Sequence, residues 1–500
     1  MNEEYDVIII GAGVAGLSAA LKLAAEKKKV LVVESQPVPG GLATSFRRNN
    51  FYFESSLHCV NSLGPEGEVK KLFDEFGVSK KLTFIPLQQF CRIVYPRHDF
   101  VADFNKQHLI SFLKKTFPGE AKALDRLFAY YDSFYRQFDA FSESSLPEWL
   151  TWLLLPFRFP LVIKMSCVTI KQVINAFTRN SELEALLTDI WRFIGLPPSR
   201  LSALYFLIVF RGYLYEQTSF LKGGYASIVK AVVDRLKEQG CSVRLNTTVT
   251  KIITGKSLRV QGVVVNQGET ITARSVISNA NCFSTLTQLI DNGAVRQKYT
   301  KKLAAQEKSI SAVQVYLGLR CPAQQLGMKI AYLSVNGTYD QDSNMRYMLQ
   351  GDYQRAALFL VDHAQLDPGL APAHKGTLLI MTFDTYARWS NLNGDEYNKK
   401  KLEVADMLIA RAEAWLPGLR NAIEVKEVAT PLTFERYAQE PEGAIYGLAH
   451  SVLQSSVNRL SQKTCVKGLF LAGAWTFPGA GFHACFLSGQ NAAEYALSVR

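Results

Sequence analysis

Short apolar runs and helical periodicities alternate along the chain from its first residues. Asp6-Val7-Ile8-Ile9-Ile10 is a β-branched run of the kind a strand buried on both faces requires. A glycine-rich turn comes next, then a helical stretch over 17–26 and a second apolar strand over Val30–Val33. Farther on, Val243, Leu245 and Val249, then 260–265, alternate in runs broken by Gly255-Lys256 and Gln267-Gly268, the pattern of a β-meander. Apolar residues at three-to-four spacing predict helices over 107–116, 120–141, 170–177 and 395–415. Strand-like pieces span 312–319 and 377–383. Near the end, a strand over 468–473 leads through a second glycine-rich turn to a helix from about Cys485.

The first turn reads Gly11-Ala12-Gly13-Val14-Ala15-Gly16. Gly11 permits the tight turn, Gly13 lets a pyrophosphate approach the backbone, and Gly16 lets helix pack against strand. The helix then presents unpaired N–H groups and the positive end of its dipole to the phosphates. Glu34, at the end of the second strand, is placed to accept hydrogen bonds from a ribose. Three later glycine segments favour FAD over NAD: Pro39-Gly40-Gly41-Leu42-Ala43, then Gly223-Gly224 ahead of a helical stretch over 225–239, then Gly473 to Gly481 ahead of the last helix. Gly479-Ala480-Gly481-Phe482-His483-Ala484 imitates a second fingerprint, but too few residues remain after it for a second βαβ unit. One dinucleotide site is expected. Its residues are Gly11, Ala12, Gly13, Ala15, Gly16, Glu34, Ser35, Gly40, Gly41, Leu42, Gly473, Ala474, Gly481 and Phe482.

Five hundred residues exceed one simple core. Because the cofactor segments lie at both ends and in the middle, the expected architecture is α/β with a discontinuous Rossmann-type FAD-binding domain over 1–85, 219–285 and 441–500. A mainly helical insertion over 86–218 and an α+β substrate domain over 286–440 complete it. The eight cysteines form no CxxC pair and no metal-ligand spacing, which suits free thiols in a reducing compartment and predicts no metal. The acidic N-terminus does not read as a signal or transit peptide. The net charge of +12 includes Lys27-Lys28-Lys29 and Lys399-Lys400-Lys401, which read as solvated helix ends or as attraction to an anionic membrane. No basic stripe with interleaved aromatics proposes nucleic acid.

Three blocks of the chain together resemble the carotenoid desaturase, carotenoid isomerase and retinol saturase family of flavoproteins. The first runs from 5 to Phe51-Tyr52-Phe53-Glu54-Ser55-Ser56-Leu57-His58. The second joins Phe220-Leu221-Lys222-Gly223-Gly224 to Asn246-Thr247-Thr248-Val249 and Val276-Ile277-Ser278-Asn279-Ala280. In the third, Ala429-Thr430-Pro431-Leu432-Thr433 and Gly443-Ala444-Ile445-Tyr446-Gly447 are similar to the isomerase and saturase branch, and the 473–481 segment to the desaturases. The resemblance implies that Val249 gives backbone contacts to the adenine end. The sequence departs from the family at Ser56, where glycine is usual, and at Leu42, where many relatives carry arginine.

The resemblance also implies chemistry on carbon–carbon double bonds of a long apolar polyene, by isomerisation, saturation or desaturation, with an external electron donor or acceptor that no motif specifies. His58, His483 and Glu54 sit in cofactor-adjacent motifs and are the candidates for proton chemistry at the flavin; each is also readable as a packing, pairing or capping group. A flavin amine oxidase is the alternative enzyme, but such enzymes usually place an acid after the glycine matched by Gly473, where this chain has Ala474. A non-enzymatic flavin-binding partner protein is the other alternative. The stretch over 149–163 holds two tryptophans, two phenylalanines, two prolines and Arg158. It is too short to span a bilayer and reads as either a buried helix or a patch resting on a membrane, flanked by Lys164 and Lys171. Burial is worth about 0.8 kcal/mol per CH₂, so a long polyene is best collected from the bilayer, and the patch is the favoured reading. The protein is accordingly expected in the cytoplasm, attached peripherally to membrane.

Overall fold

The computed structural model describes residues 4–65, 67–103, 105–144, 148–216, 218–266 and 268–499, with their side chains apart from those of 90, 148, 149, 151, 152 and 457. The architecture is mixed α/β, organised by two sheets. In the first, Glu4–Ile10 runs parallel to Val30–Val33 on one side and to Glu269–Ser278 on the other. The long strand Glu269–Ser278 divides its outer edge. Its start pairs antiparallel with Val260–Val265, which pairs in turn with Val249–Thr254, and its end pairs parallel with Leu469–Leu471. The meander is therefore present over 249–278. Val243 lies outside it, in Ser242–Arg244, a parallel edge strand beside Val30–Val33. The helix Ala226–Glu238 is the last element of the long connection that makes this parallel pairing possible.

Helices Val14–Ala25 and Phe482–Leu497 pack together so closely that a Cβ at Gly489 would lie 2.1 Å from the Ala15 carbonyl oxygen. The contact is also hydrogen-bonded: Ser18 Oγ donates to the Phe486 carbonyl (2.6 Å), and Gln490 Nε2 to the Ser18 carbonyl (2.8 Å). The C-terminal segment is thus fastened to the N-terminal glycine turn.

The second sheet has the order Ile423–Ala429, Ser311–Leu319, Gly376–Asp384, Leu358–Val361, Tyr332–Val335, Gln89–Tyr95, His98–Asp103. Its last two strands form a hairpin inside the 86–218 span that was expected to be mainly helical. Gln89–Tyr95 pairs parallel with Tyr332–Val335. Cys91, Ile93 and Tyr95 join one apolar cluster and Val94 another, so both faces are covered and no clean polar alternation marks the strand.

Helices fill the remainder of 86–218, among them Ala121–Ser142 and Ala203–Leu214. The latter is apolar on nearly every side and buried, which leaves no 3.6-residue stripe from which to predict it. A buried polar network ties this layer to the second sheet. Asp189 pairs with Arg192 and accepts from Tyr95 (2.8 Å), and Arg192 Nη1 donates to Asn336 Oδ1 (2.9 Å). No helix among the described residues is long and apolar enough to cross a membrane.

Candidate functional site

The turn after Glu4–Ile10 is held by its neighbours as well as by its own glycines. Gly11 has φ +91°, and the Ala12 N–H donates to Glu34 Oε2 at 2.7 Å. Glu34 Oε1 accepts from the Gln36 N–H (2.8 Å) and Ser35 Oγ (3.3 Å). The Gly40 N–H donates to the Ala12 carbonyl (2.8 Å), and a Cβ at Gly41 would lie 3.5 Å from Gly13 Cα, so the second glycine pair lies against the first turn. Leu42 comes next, its carbonyl accepting from Ser55 Oγ (3.1 Å) and Ser56 Oγ (2.8 Å). The hydroxyl at 56, where the family usually has glycine, is thus used to anchor this loop. Val249 is buried at the start of its strand, next to the segment in which the Thr247 N–H donates to the Glu34 carbonyl (2.8 Å).

At the C-terminal end, Gly473 (φ +104°) donates its N–H to Ser488 Oγ at 3.0 Å. The carbonyl of Ala474 accepts from Arg459. Gly481 (φ +90°) precedes the last helix, which begins at Phe482, three residues earlier than expected. Phe482 packs its ring against Phe73 and Phe486, so this side chain belongs to the core while its backbone opens the helix.

Asn279 joins the two ends. Its Oδ1 accepts from the Gly16 N–H (2.9 Å) and its Nδ2 donates to the Ala472 carbonyl (3.3 Å). Cβ atoms at Gly13 and Gly473 would lie 2.7 and 2.6 Å from its amide. Asn279 appears in the sequence only as part of a resembling block, and its role is visible only in three dimensions.

The three candidates for proton chemistry have different surroundings. Glu54 is buried; its Oε1 accepts from the Tyr225 N–H (3.1 Å) and its Oε2 from Ser45 Oγ (3.0 Å), and burial pushes its carboxyl up to about 8. His58 is also buried, and desolvation pushes its imidazole down to about 4. Its ring stacks on that of His363 (5.9 Å between centroids), which stacks on Phe220 (5.6 Å). Phe359 and Tyr332 close the cluster, and His58 Nδ1 and His363 Nε2 are both without a hydrogen-bond partner among the described residues. Tyr225 touches both candidates, through its N–H to Glu54 and its hydroxyl to the His58 carbonyl (3.1 Å). His483 stands apart near the surface, its Nε2 3.0 Å from Glu68 Oε2. His363, which no motif singled out, is brought to His58 by the second sheet.

The family model described as flavin containing amine oxidoreductase matches residues 14–497. The chain belongs to this family. Its relatives include a prolycopene isomerase, chloroplastic, of an Oncidium hybrid cultivar, 26% identical over 98% of this chain and 84% of that one. The all-trans-retinol 13,14-reductase of Danio rerio is 24% identical over 94% and 82%. The neurosporene-forming phytoene desaturase of Rhodobacter capsulatus is 25% identical over 97% and 93%. Among solved structures, cyclohexylamine oxidase from Brevibacterium oxydans shares the fold with a TM-score of 0.62 at 16% identity, covering 99% of both chains.

The protein is therefore an FAD-dependent flavoenzyme, and its glycine turn fits that cofactor. Gly13, the N-cap of helix Val14–Ala25, has no side chain to cap it, Asn279 takes only the Gly16 N–H, and the N–H groups of Val14 and Ala15 find no acceptor among the described residues. They are free to take phosphate oxygens. Among the described residues no three His, Cys, Asp or Glu side chains gather as a metal site would need.

Proposed function

We infer that this flavoenzyme acts on the carbon–carbon double bonds of a long apolar polyene, by isomerisation or saturation in preference to desaturation. The observation that carries this reading is the buried aromatic cluster around His58. It is built of phenyl, phenol and neutral imidazole rings, and the neighbouring Glu54 keeps its proton at neutral pH. Such surroundings suit a hydrocarbon. The isomerase, reductase and desaturase among the relatives are each named for a polyene substrate. The preference among the three reactions rests on 429–433 and 443–447, the segments similar to the isomerase and saturase branch.

In this reading Gly11, Ala12, Gly13, Ala15 and Gly16 hold the pyrophosphate, with Gly40, Gly41 and Leu42 against it. Glu34 and Ser35 meet the ribose, and Val249 the adenine end. Gly473, Ala474, Gly481 and Phe482 hold the flavin end. When bound, FAD accepts a hydride, donates electrons, or lends and recovers them, which respectively desaturates, saturates or isomerises a double bond. Glu54 keeps a proton on a buried carboxyl, and burial keeps His58 and His363 uncharged. His483, paired with Glu68 at the first turn of the last helix, takes no part in this cluster.

A polyene mixture incubated anaerobically with dithionite-reduced enzyme tests the reading by mass and retention time. The expected products are isomers of unchanged mass or species with two added hydrogens. Activity confined to the oxidised enzyme, with two hydrogens lost, would make it a desaturase. With oxidised enzyme in air, oxidation of a primary amine coupled to reduction of dioxygen to hydrogen peroxide, with polyenes untouched, would overturn the reading.

Substrate collection from a membrane surface belongs to the same proposal. On helix Glu148–Arg158, Leu153 is 62% and Phe157 82% exposed, with Arg158 beside them and Lys164 on the next helix, Pro160–Cys167. The side chains of Trp149 and Trp152, expected in the same patch, lie outside the described residues. Exposed apolar groups bordered by cations are the composition of an interfacial anchor. In flotation with anionic vesicles the wild type is expected to rise with the lipid, more weakly at high salt as the charges are screened. A Leu153→Ser/Phe157→Ser variant should stay at the bottom; equal flotation of the two would move the attachment elsewhere.

A further inference from the structure

Arg459 belongs to none of the motifs above. It is 4% exposed and donates every one of its five N–H groups. Nε bonds the Thr476 carbonyl (2.9 Å), and Nη1 bonds His450 Nδ1 (3.2 Å) and the Gln454 carbonyl (3.3 Å). Nη2 bonds the carbonyls of Leu448 (3.2 Å) and Ala474. All five acceptors are neutral. His450 is stacked on Tyr205 with 3.7 Å between ring centroids, and burial beside the guanidinium holds it well below its ordinary pKa.

The donors are satisfied, but the charge is not. Among the described residues no carboxylate makes an ion pair with Arg459. Glu440, bonded to the same 474–476 segment, accepts from Trp475 Nε1 (2.5 Å), and burial pushes its carboxyl up to about 8, so it carries no counter-charge at neutral pH. A buried cation with no anion is costly. Arg459 also holds two carbonyls of the loop that runs from Gly473 to Gly481. That loop ends at a sixteen-residue helix whose N-terminus has no side-chain cap and carries partial positive charge. A buried cation and a helix dipole thus act on one loop, and both favour negative charge there.

We propose that Arg459 is a positioning residue that holds the 474–481 loop and stabilises the negative charge of reduced flavin, raising the cofactor's reduction potential. The proposal rests on the flavin end lying against this loop. Two electrons and one proton, all supplied by the reductant and solvent in the titration, convert bound FAD to its anionic reduced form. The guanidinium, which has no N–H to spare, acts through its field and through the loop.

Anaerobic dye-equilibration of the holoprotein tests this. Arg459→Gln is expected to lower the midpoint potential by about 30 mV, a tenfold shift in the reduced-to-oxidised ratio, while Arg459→Lys recovers most of it. Equal potentials in wild type and Arg459→Gln, each with full FAD content, would overturn the proposal. So would an equal fall in both variants, which would make shape rather than charge responsible. The wild type alone supplies a second measurement. Its reduced flavin should take up its neutralising proton about one pH unit or more below free reduced FAD in the same buffer. Uptake at the same pH would overturn the proposal even if neither variant folded. Failure of the wild type to bind FAD is a separate outcome, which would remove the cofactor site itself.

Discussion

A Gly13→Leu variant is expected to purify colourless, with FAD occupancy at least tenfold below wild type, a loss of about 1.4 kcal/mol or more in binding. Even the first atom of a side chain at 13 would lie 2.7 Å from Asn279 Oδ1. That amide is not free to yield, since it accepts from the Gly16 N–H and donates to the Ala472 carbonyl. The rest of the leucine is left to occupy the first turn of the helix, where the unpaired N–H groups of Val14 and Ala15 are to meet phosphate. The ratio of the visible flavin band to protein absorbance reads the result. Gly293→Ala is the control: it also opens a helix, but a Cβ there has nothing within 4 Å. Wild-type colour in Gly13→Leu would mean that the pyrophosphate does not pass over this turn.

Glu54→Gln is expected to gain stability over the wild type as pH rises from 5 to 8. Glu54 has an ordinary value of 4.5 and is held at about 8 in the folded protein. Below about 4.5 both folded and unfolded chains carry the proton, and nothing depends on pH. Between the two values the unfolded chain has released it and the folded one has not, so the wild type loses stability as pH rises. The limiting slope is about 1.4 kcal/mol per pH unit. Above about 8 the slope ends. Glutamine does not titrate, and its carbonyl can still accept the Tyr225 N–H. Glu440 and Asp362, raised to about 8 and 7, slope the same way, and the lowered His58 and His363 slope the opposite way. All four are present in both proteins and cancel in the difference. Urea unfolding at pH 5 and pH 8 measures it, and a difference independent of pH would show that the Glu54 carboxyl titrates alike in both states.

The cofactor end of this protein is legible from the amino-acid order alone. Strand, glycine turn, helix, strand and Glu34 succeed one another within the first 34 residues, and each part acts on its near neighbours. A tight turn needs a positive φ at Gly11, and a helix start needs no partner to leave its N–H groups free, so local chemistry suffices to read them. The long helices Ala121–Ser142 and Gly394–Glu413 were legible for a related reason: one face is apolar and one polar, and the period shows.

Strand partners and the contacts that complete the site wait on how distant segments pack. The Gln89–Tyr95 hairpin strand finds its partner at Tyr332–Val335, and nothing in a strand covered on both faces says which edge it will join. Asn279 becomes the clasp between Gly16 and Ala472 because a parallel pairing ends its strand beside both turns. His58 meets His363, and Arg459 meets Ala474 and Thr476, through packing of segments whose sequences carry no sign of one another. Their unusual charge states have the same origin. A side chain's pKa or unpaired charge depends on how much water and how many partners the fold leaves around it, and that is a property of the packed neighbourhood rather than of the residue.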